Sequence, residues 1–155
     1  MRVDVYAETN TKAMQARKRS CMYVVACDTK KGLATIGDYV ENNNTYAGAI
    51  LDTINKALRR IKTGSEVHLH TSNNIVIDMI TNWIDEIAER GFCKKNGDPV
   101  ANRDEWHEYW ELTKNMIIIP EPGPHTFSSW MSNELYKHDI EIAKKAESAT
   151  VYASE

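Results

Sequence analysis

Val3 and Val5 alternate with Asp4, Tyr6 and Glu8, the period of two that marks a half-buried strand. Two further strands are predicted over residues 21–27 and 33–40, with Asp28, Thr29, Lys30, Lys31 and Gly32 as the hairpin turn between them. The chain should therefore begin as an antiparallel three-stranded meander. The period then changes. Ile50, Ile54, Ala57, Leu58 and Ile61 follow helical spacing, with Lys56, Arg59, Arg60 and Lys62 largely off that stripe, and Gly64 ends the helix. Glu66–Thr71 alternates again, with Val67 and Leu69 inward and His68 and His70 on the other face. A second helical stripe follows through Val76, Ile80, Trp83, Ile84 and Ile87, and it places Trp83 in the core. Residues 93–102 read as a loop, 105–114 as a helix, and 116–119 as a short buried strand. Pro120, Pro122, Gly123 and Pro124 are expected to end regular structure, before a last helix from about Trp130 that carries Leu135, Ile142, Ala143 and Ala146 on one face.

The predicted order is β-β-β-α-β-α-α-β-α. Early strands joined by hairpins are antiparallel, and later strands separated by helices can cross over in parallel. The fold class is therefore α/β, one mixed five-stranded sheet with helices packed on it. No linker, repeat or low-complexity stretch interrupts the pattern, so residues 1–150 read as one domain and 151–155 as a tail.

Composition narrows the class. With 155 residues, 42% hydrophobic and 26% charged, the chain has enough apolar material for a core without staples. Cys21, Cys27 and Cys93 show no CxxC spacing, which argues against a disulfide framework or a zinc site and for a reducing compartment. The N-terminal stretch is charged and strand-like rather than a signal peptide, and the apolar run at residues 116–119 is far too short to span a bilayer. A cytoplasmic protein with no membrane partner is expected. The net charge of −3 means that any grip on a phosphate backbone must come from a local patch.

Several blocks resemble the ribonuclease H type 1 family. Asn43-Asn44, Ala49-Ile50 and Ala57-Leu58 resemble the "NN-x-MEL-x-A-x…AL" block that opens the family's first helix. Val67 to Asn73 resembles the strand ending in "TDS", and Val76, Ile80 and Trp83-Ile84 continue the register. Arg90-Gly91-Phe92 and then Gly97 to Trp106 resemble "RGW…G-x-PV-x-N-x-D-x-W". These agreements run in one order over residues 1 to about 138. The resemblance implies the ribonuclease H fold and cleavage of the RNA strand of RNA–DNA hybrids.

It also implies four carboxylates holding two magnesium ions about 4 Å apart. Carried over one at a time, the first position, in "TDG", falls on Glu8, still a carboxylate but one methylene longer. The second, the Glu of "MEL", falls on Ala47; the third, the Asp of "TDS", on Ser72; the fourth, the Asp of "DELA", on Asn133, followed by the matching Glu134-Leu135. The family's flexible loop supplies a histidine for proton transfer, and here His125 lies in the corresponding, proline-stiffened stretch. A single surviving carboxylate predicts a pseudo-enzyme with no cofactor, and Glu8 as the one weak metal candidate.

For binding, the resemblance places Asn43 and Asn44 against the minor groove of a hybrid, where a polar pair suits 2′-hydroxyl recognition, although both also suit a helix N-cap. Asn73 joins them in the Ser72-Asn73-Asn74 run, which equally caps a helix. Arg90, Lys94 and Lys95 are the basic residues of the segment matching the family's substrate-binding protrusion, here interleaved with acids. His68 and His70 share a strand face at a spacing that can bind a transition metal, or are simply exposed alternate positions. Two functions follow. The first is an inactive ribonuclease H-like module that binds a nucleic acid (hybrid or duplex), a protein partner or another copy of itself. The second is a divergent endonuclease in which Glu8, His125 and substrate phosphates hold one Mg2+.

Overall fold

The computed structural model describes the backbone of residues 1–153 and the side chains of residues 1–148. Strands β1 (Arg2–Thr9), β2 (Arg19–Thr29) and β3 (Gly32–Asn42) form the meander, followed by helix α1 (Tyr46–Leu58) and strand β4 (Glu66–Thr71). Next come α2 (Asn74–Asp78), a π-helical turn (Met79–Trp83), α3 (Ile84–Glu89), α4 (Arg103–Thr113), β5 (Ile117–Pro122) and α5 (Ser128–Ala153). The five strands make one mixed sheet in the order β3-β2-β1-β4-β5, with β2 antiparallel to both neighbours and β4 parallel to β1 and β5. The expected fold class is the one observed.

Alternation along the strands sorts the residues onto two faces. Val3, Val5, Ala7, Tyr23, Val25, Val67 and Leu69 point to the face covered by α1, where Ile50, Leu51 and Ile54 are fully buried. Burial of that kind is worth about 1.5–3 kcal/mol per side chain. The opposite face of β1 and β2, with Tyr6, Met22, Val24 and Ala26, receives Met131 and Leu135 of α5. α1 is capped by Thr45, whose hydroxyl accepts from the Gly48 N–H at 3.2 Å.

Four expectations need correction. Trp83 is 49% exposed, because the wider π turn adds a residue to the helical repeat and rotates the ring off the apolar stripe; its indole N–H donates to Asp78 instead. Pro120 and Pro122 do not end regular structure but lie inside β5, which tolerates them because it is an edge strand. Nor is β5 buried: Ile117 is 62% exposed. The last helix starts two residues earlier than expected and continues through residues 151–153; residues 154 and 155 of the anticipated tail lie outside the described ones.

Candidate functional site

Parallel pairing of β1 with β4 places Tyr6 beside His70, so Glu8 and Ser72 emerge together at the carboxyl ends of adjacent strands. That end of an α/β sheet is where loops and helix starts converge on a ligand. Glu8 is the hub. Its Oε1 accepts from the Ser72 hydroxyl at 2.7 Å, the Ser72 backbone N–H at 3.0 Å and the Thr71 hydroxyl at 3.4 Å. Its Oε2 faces His125 Nε2 at 3.2 Å. The Phe127 backbone N–H donates to His125 Nδ1 at 3.2 Å, so the neutral ring carries its proton on Nε2 and donates it to Glu8. Both partners are shielded, with side chains 12% (Glu8) and 3% (His125) exposed. Burial would raise the Glu8 carboxyl, but the bonds from His125 and Ser72 outweigh it and hold it below the usual glutamate range.

Around this hub lies a cavity of about 240 Å³, lined by Thr9, Lys12, Tyr46, Pro124, Ser128, Ser132 and Leu135 as well as Glu8 and Ser72. Tyr46, the first residue of α1, turns its ring into the space; burial raises its phenol pKa, Ser72 partly offsets that, and the Glu8 charge adds to it. Ser128 and Ser132 stand one turn apart on α5, and the Ser128 hydroxyl accepts from the His125 backbone N–H at 2.8 Å.

The loop leading from β1 to β2 forms the cavity's outer wall, and a buried cation builds it. Arg19, only 1% exposed, donates to the carbonyls of Thr11, Ala13, Gln15 and Asn44 at 2.8–3.1 Å. Lys12, Arg17 and Lys18 remain exposed on that loop. A larger groove of about 400 Å³ lies between the π turn, α4 and β5, lined by Ile80, Tyr109, Trp110 and Ile118, but its polar side chains do not converge as those at Glu8 do.

No family model matches the chain. Curated relatives do, fourteen of them. Ribonuclease HI of Xylella fastidiosa (strain Temecula1) is 32% identical over 96 residues, covering 56% of this chain and 64% of that protein. Ribonuclease H of Rickettsia felis is 33% identical over 106 residues, covering 60% of this chain and 70% of that one. The chain belongs to the ribonuclease H family. Its match spans just under two thirds of the Xylella protein's length and slightly more of the Rickettsia one. Among solved structures, a type 1 RNase H with the type 2 active-site motif superposes with a TM-score of 0.71 at 17% identity, over 88% of this chain and 71% of that one. A foamy viral protease-reverse transcriptase in complex with RNA/DNA hybrid gives 0.60 at 14% identity, over 86% of this chain and 18% of that one. Both likenesses concern the fold.

Against the ribonuclease H pattern, the structure brings together Glu8, Ser72 and His125 and leaves out Ala47 and Asn133. Ala47 packs against the core below α1, and its neighbour Tyr46 points at Glu8 instead. Asn133 is exposed, while Ser132 lines the cavity, so the fourth position is displaced by one residue around α5. A magnesium pair needs several anionic oxygens in near-octahedral array. One carboxylate, five hydroxyls and the Lys12 ammonium do not fit that group. Among the described residues, no three His, Cys, Asp or Glu side chains form a set able to hold a metal ion.

The candidate binding residues also separate. Asn73 is fully buried, where its side chain caps α2 by accepting from Val76 N at 3.0 Å, so it cannot touch a groove. Asn44 ties α1 to α4: its carbonyl takes Arg19, and its amide donates to Glu105 at 3.3 Å. The cap falls on Thr45 rather than on the asparagine pair, and Asn43 is exposed beside it. Arg90 is engaged with the Cys93 carbonyl at 3.1 Å and Glu86 at 3.5 Å, whereas Lys94 and Lys95 are exposed. His68 and His70 are not idle surface positions: His68 lies between Glu66 and Glu121 at 3.0 Å each, and His70 meets Asp4 at 2.8 Å. Tyr46, Ser128, Ser132 and Lys12 went unread in the sequence. Only the i, i+4 spacing of the two serines offered a signal, and no chemistry marked it.

Proposed function

We propose that this chain is a ribonuclease H-family module that works by binding rather than by hydrolysis, with a nucleic-acid duplex, and an RNA–DNA hybrid first, as its ligand. One observation carries the reading. Glu8, the only carboxylate at the family's four metal positions, has both oxygens committed to donors of its own chain. A metal ion would have to displace Ser72 and His125 from a buried carboxylate, and the cavity supplies no second anion to repay that loss.

The same substitutions favour a phosphate. With three of the four carboxylates gone, the cavity repels a polyanion less although Glu8 stays, and Lys12 in its lining, with Arg17 and Lys18 on the same loop, brings positive charge beside it. Hydroxyls also suit the sugar edge of RNA. The relatives named ribonuclease H and the structural neighbour in complex with RNA/DNA hybrid support the choice of ligand. Among the described residues no helix is long and apolar enough to cross a membrane.

The test pairs calorimetric titration of Mg2+ and Mn2+ with cleavage of a labelled RNA–DNA hybrid, and follows hybrid binding by fluorescence anisotropy across a salt series. Silence in the first two, with affinity falling steeply as salt rises, is the expected result. Metal binding together with cleavage that disappears in Glu8→Gln would overturn it and make the chain a divergent single-metal nuclease. No hybrid binding at any salt concentration would overturn the choice of ligand and point to a protein partner instead.

A further inference from the structure

The sheet guards one of its edges and leaves the other open. β5, at one side, carries Pro120 and Pro122, which cannot donate to an incoming strand. β3, at the other, runs for eleven residues with no proline, and its pairing with β2 is unbroken from Thr29↔Gly32 to Arg19↔Asn42, so no bulge turns it away. Residues 33–37 (Leu-Ala-Thr-Ile-Gly) are uncharged, and Leu33 and Ile36 are 61% and 45% exposed. A long, regular edge with an uncharged apolar stretch, no proline and no bulge is a template for another strand.

The strand is also complementary to itself. Lys31 lies in the turn just before it and Glu41 near its end, with Glu41 42% exposed although it meets Ser20 and His138. We propose that β3 pairs antiparallel with β3 of a second copy about a two-fold axis at Ile36. The two sheets then become one ten-stranded sheet. In this register Ile36 faces Ile36, Thr35 faces Gly37, Leu33 faces Tyr39 and Lys31 faces Glu41, each pair on one face of the sheet. Moving the axis to Thr35 or to Gly37 puts Leu33 opposite Gly37 or Glu41 and loses both the apolar and the ionic match.

The α5 side of the edge fits the same occupant. Trp130, 48% exposed, overhangs Met22, Val24 and Gly37 to leave an apolar hollow of about 210 Å³. Gly37 is required beneath it, since a Cβ there would sit 2.6 Å from the Tyr23 carbonyl oxygen. The second copy's Thr35 lands opposite Gly37, beside this hollow, and its Leu33 beside Tyr39.

Sedimentation velocity on the full chain over a micromolar concentration series should show a dimer. Ile36→Lys should weaken association at least tenfold while leaving the far-UV spectrum and thermal unfolding intact, because the side chain is exposed. The register has its own test, in a Cys27→Ser, Cys93→Ser background. Mild oxidation should link Ile36→Cys into a covalent dimer, because the two Cβ atoms meet at the axis, and should leave Ala34→Cys, which faces Asp38, unlinked. A wild-type chain that stays monomeric throughout, a dimer that survives Ile36→Lys, or equal cross-linking at both positions would overturn the proposal.

Discussion

The two faces of the sheet are held by different forces. On the α1 face the contacts are hydrocarbon: Ile50, Leu51, Ile54, Val67 and Leu69 are fully buried against one another, with no ionisable side chain among them. On the α5 face the apolar cluster is small, and histidine–carboxylate pairs surround it, Glu8 with His125, Asp4 with His70, His68 with Glu66 and Glu121, and His138 with Glu41. Tyr6 sits among these pairs, stacked on His70 at 4.4 Å and tilted against His125 at 4.9 Å. The first face supplies stability that is indifferent to protons. The second ties the loop before α5 to the strand ends through groups whose strength depends on their charge.

The comparison can be broken most forcefully on the apolar side. Ile54→Ala should cost about 2–5 kcal/mol in denaturant unfolding, with the same loss at pH 5 and pH 8. A loss that varied with pH would mean the two faces are not independent. Next in size is Glu8→Gln, which leaves a buried amide to face four donors and should cost about 1–3 kcal/mol at neutral pH. That loss should shrink under acid. The folded-state pKa of Glu8 is lowered, so its contribution is present above the ordinary glutamate value and disappears as pH falls through the folded one. Asp4, opposed by burial but lowered by His70 and Arg2, adds to the same acid limb, and melting temperature against pH reads both. The smallest effect is at His68, raised by Glu121 and then Glu66. Its contribution is complete below the ordinary histidine value near 6.5 and is lost as pH rises through the folded one. His68→Gln should flatten the stability profile on that alkaline side only, by about 0.5–1 kcal/mol.

Periodicity was enough to read the apolar face, because a strand or helix that must bury one side writes that side into its sequence. Val3, Val5, Val67, Leu69 and the α1 stripe could all be assigned that way. The site was less legible. Glu8, Ser72 and His125 lay at positions matched by family blocks, so their meeting could be anticipated, but the direction of a side chain at a helix start depends on where the helix begins. With Thr45 as the cap, Tyr46 rather than Ala47 turns toward Glu8, a shift of one residue that no spacing rule resolves. Trp83 failed for a related reason. One π turn breaks the repeat on which the helical stripe depends.

The ring of carbonyls around Arg19 has a consequence for how a ligand would arrive. Residues 11–15 and Asn44 are gathered on one guanidinium, so the rim carrying Lys12 is set before any encounter. A partner docking there has no flap to order and loses little affinity to conformational entropy. Association should proceed in a single kinetic phase whose rate grows in proportion to concentration. Arg19→Met, by releasing four carbonyls at once, should turn that single phase into a slower, saturable one.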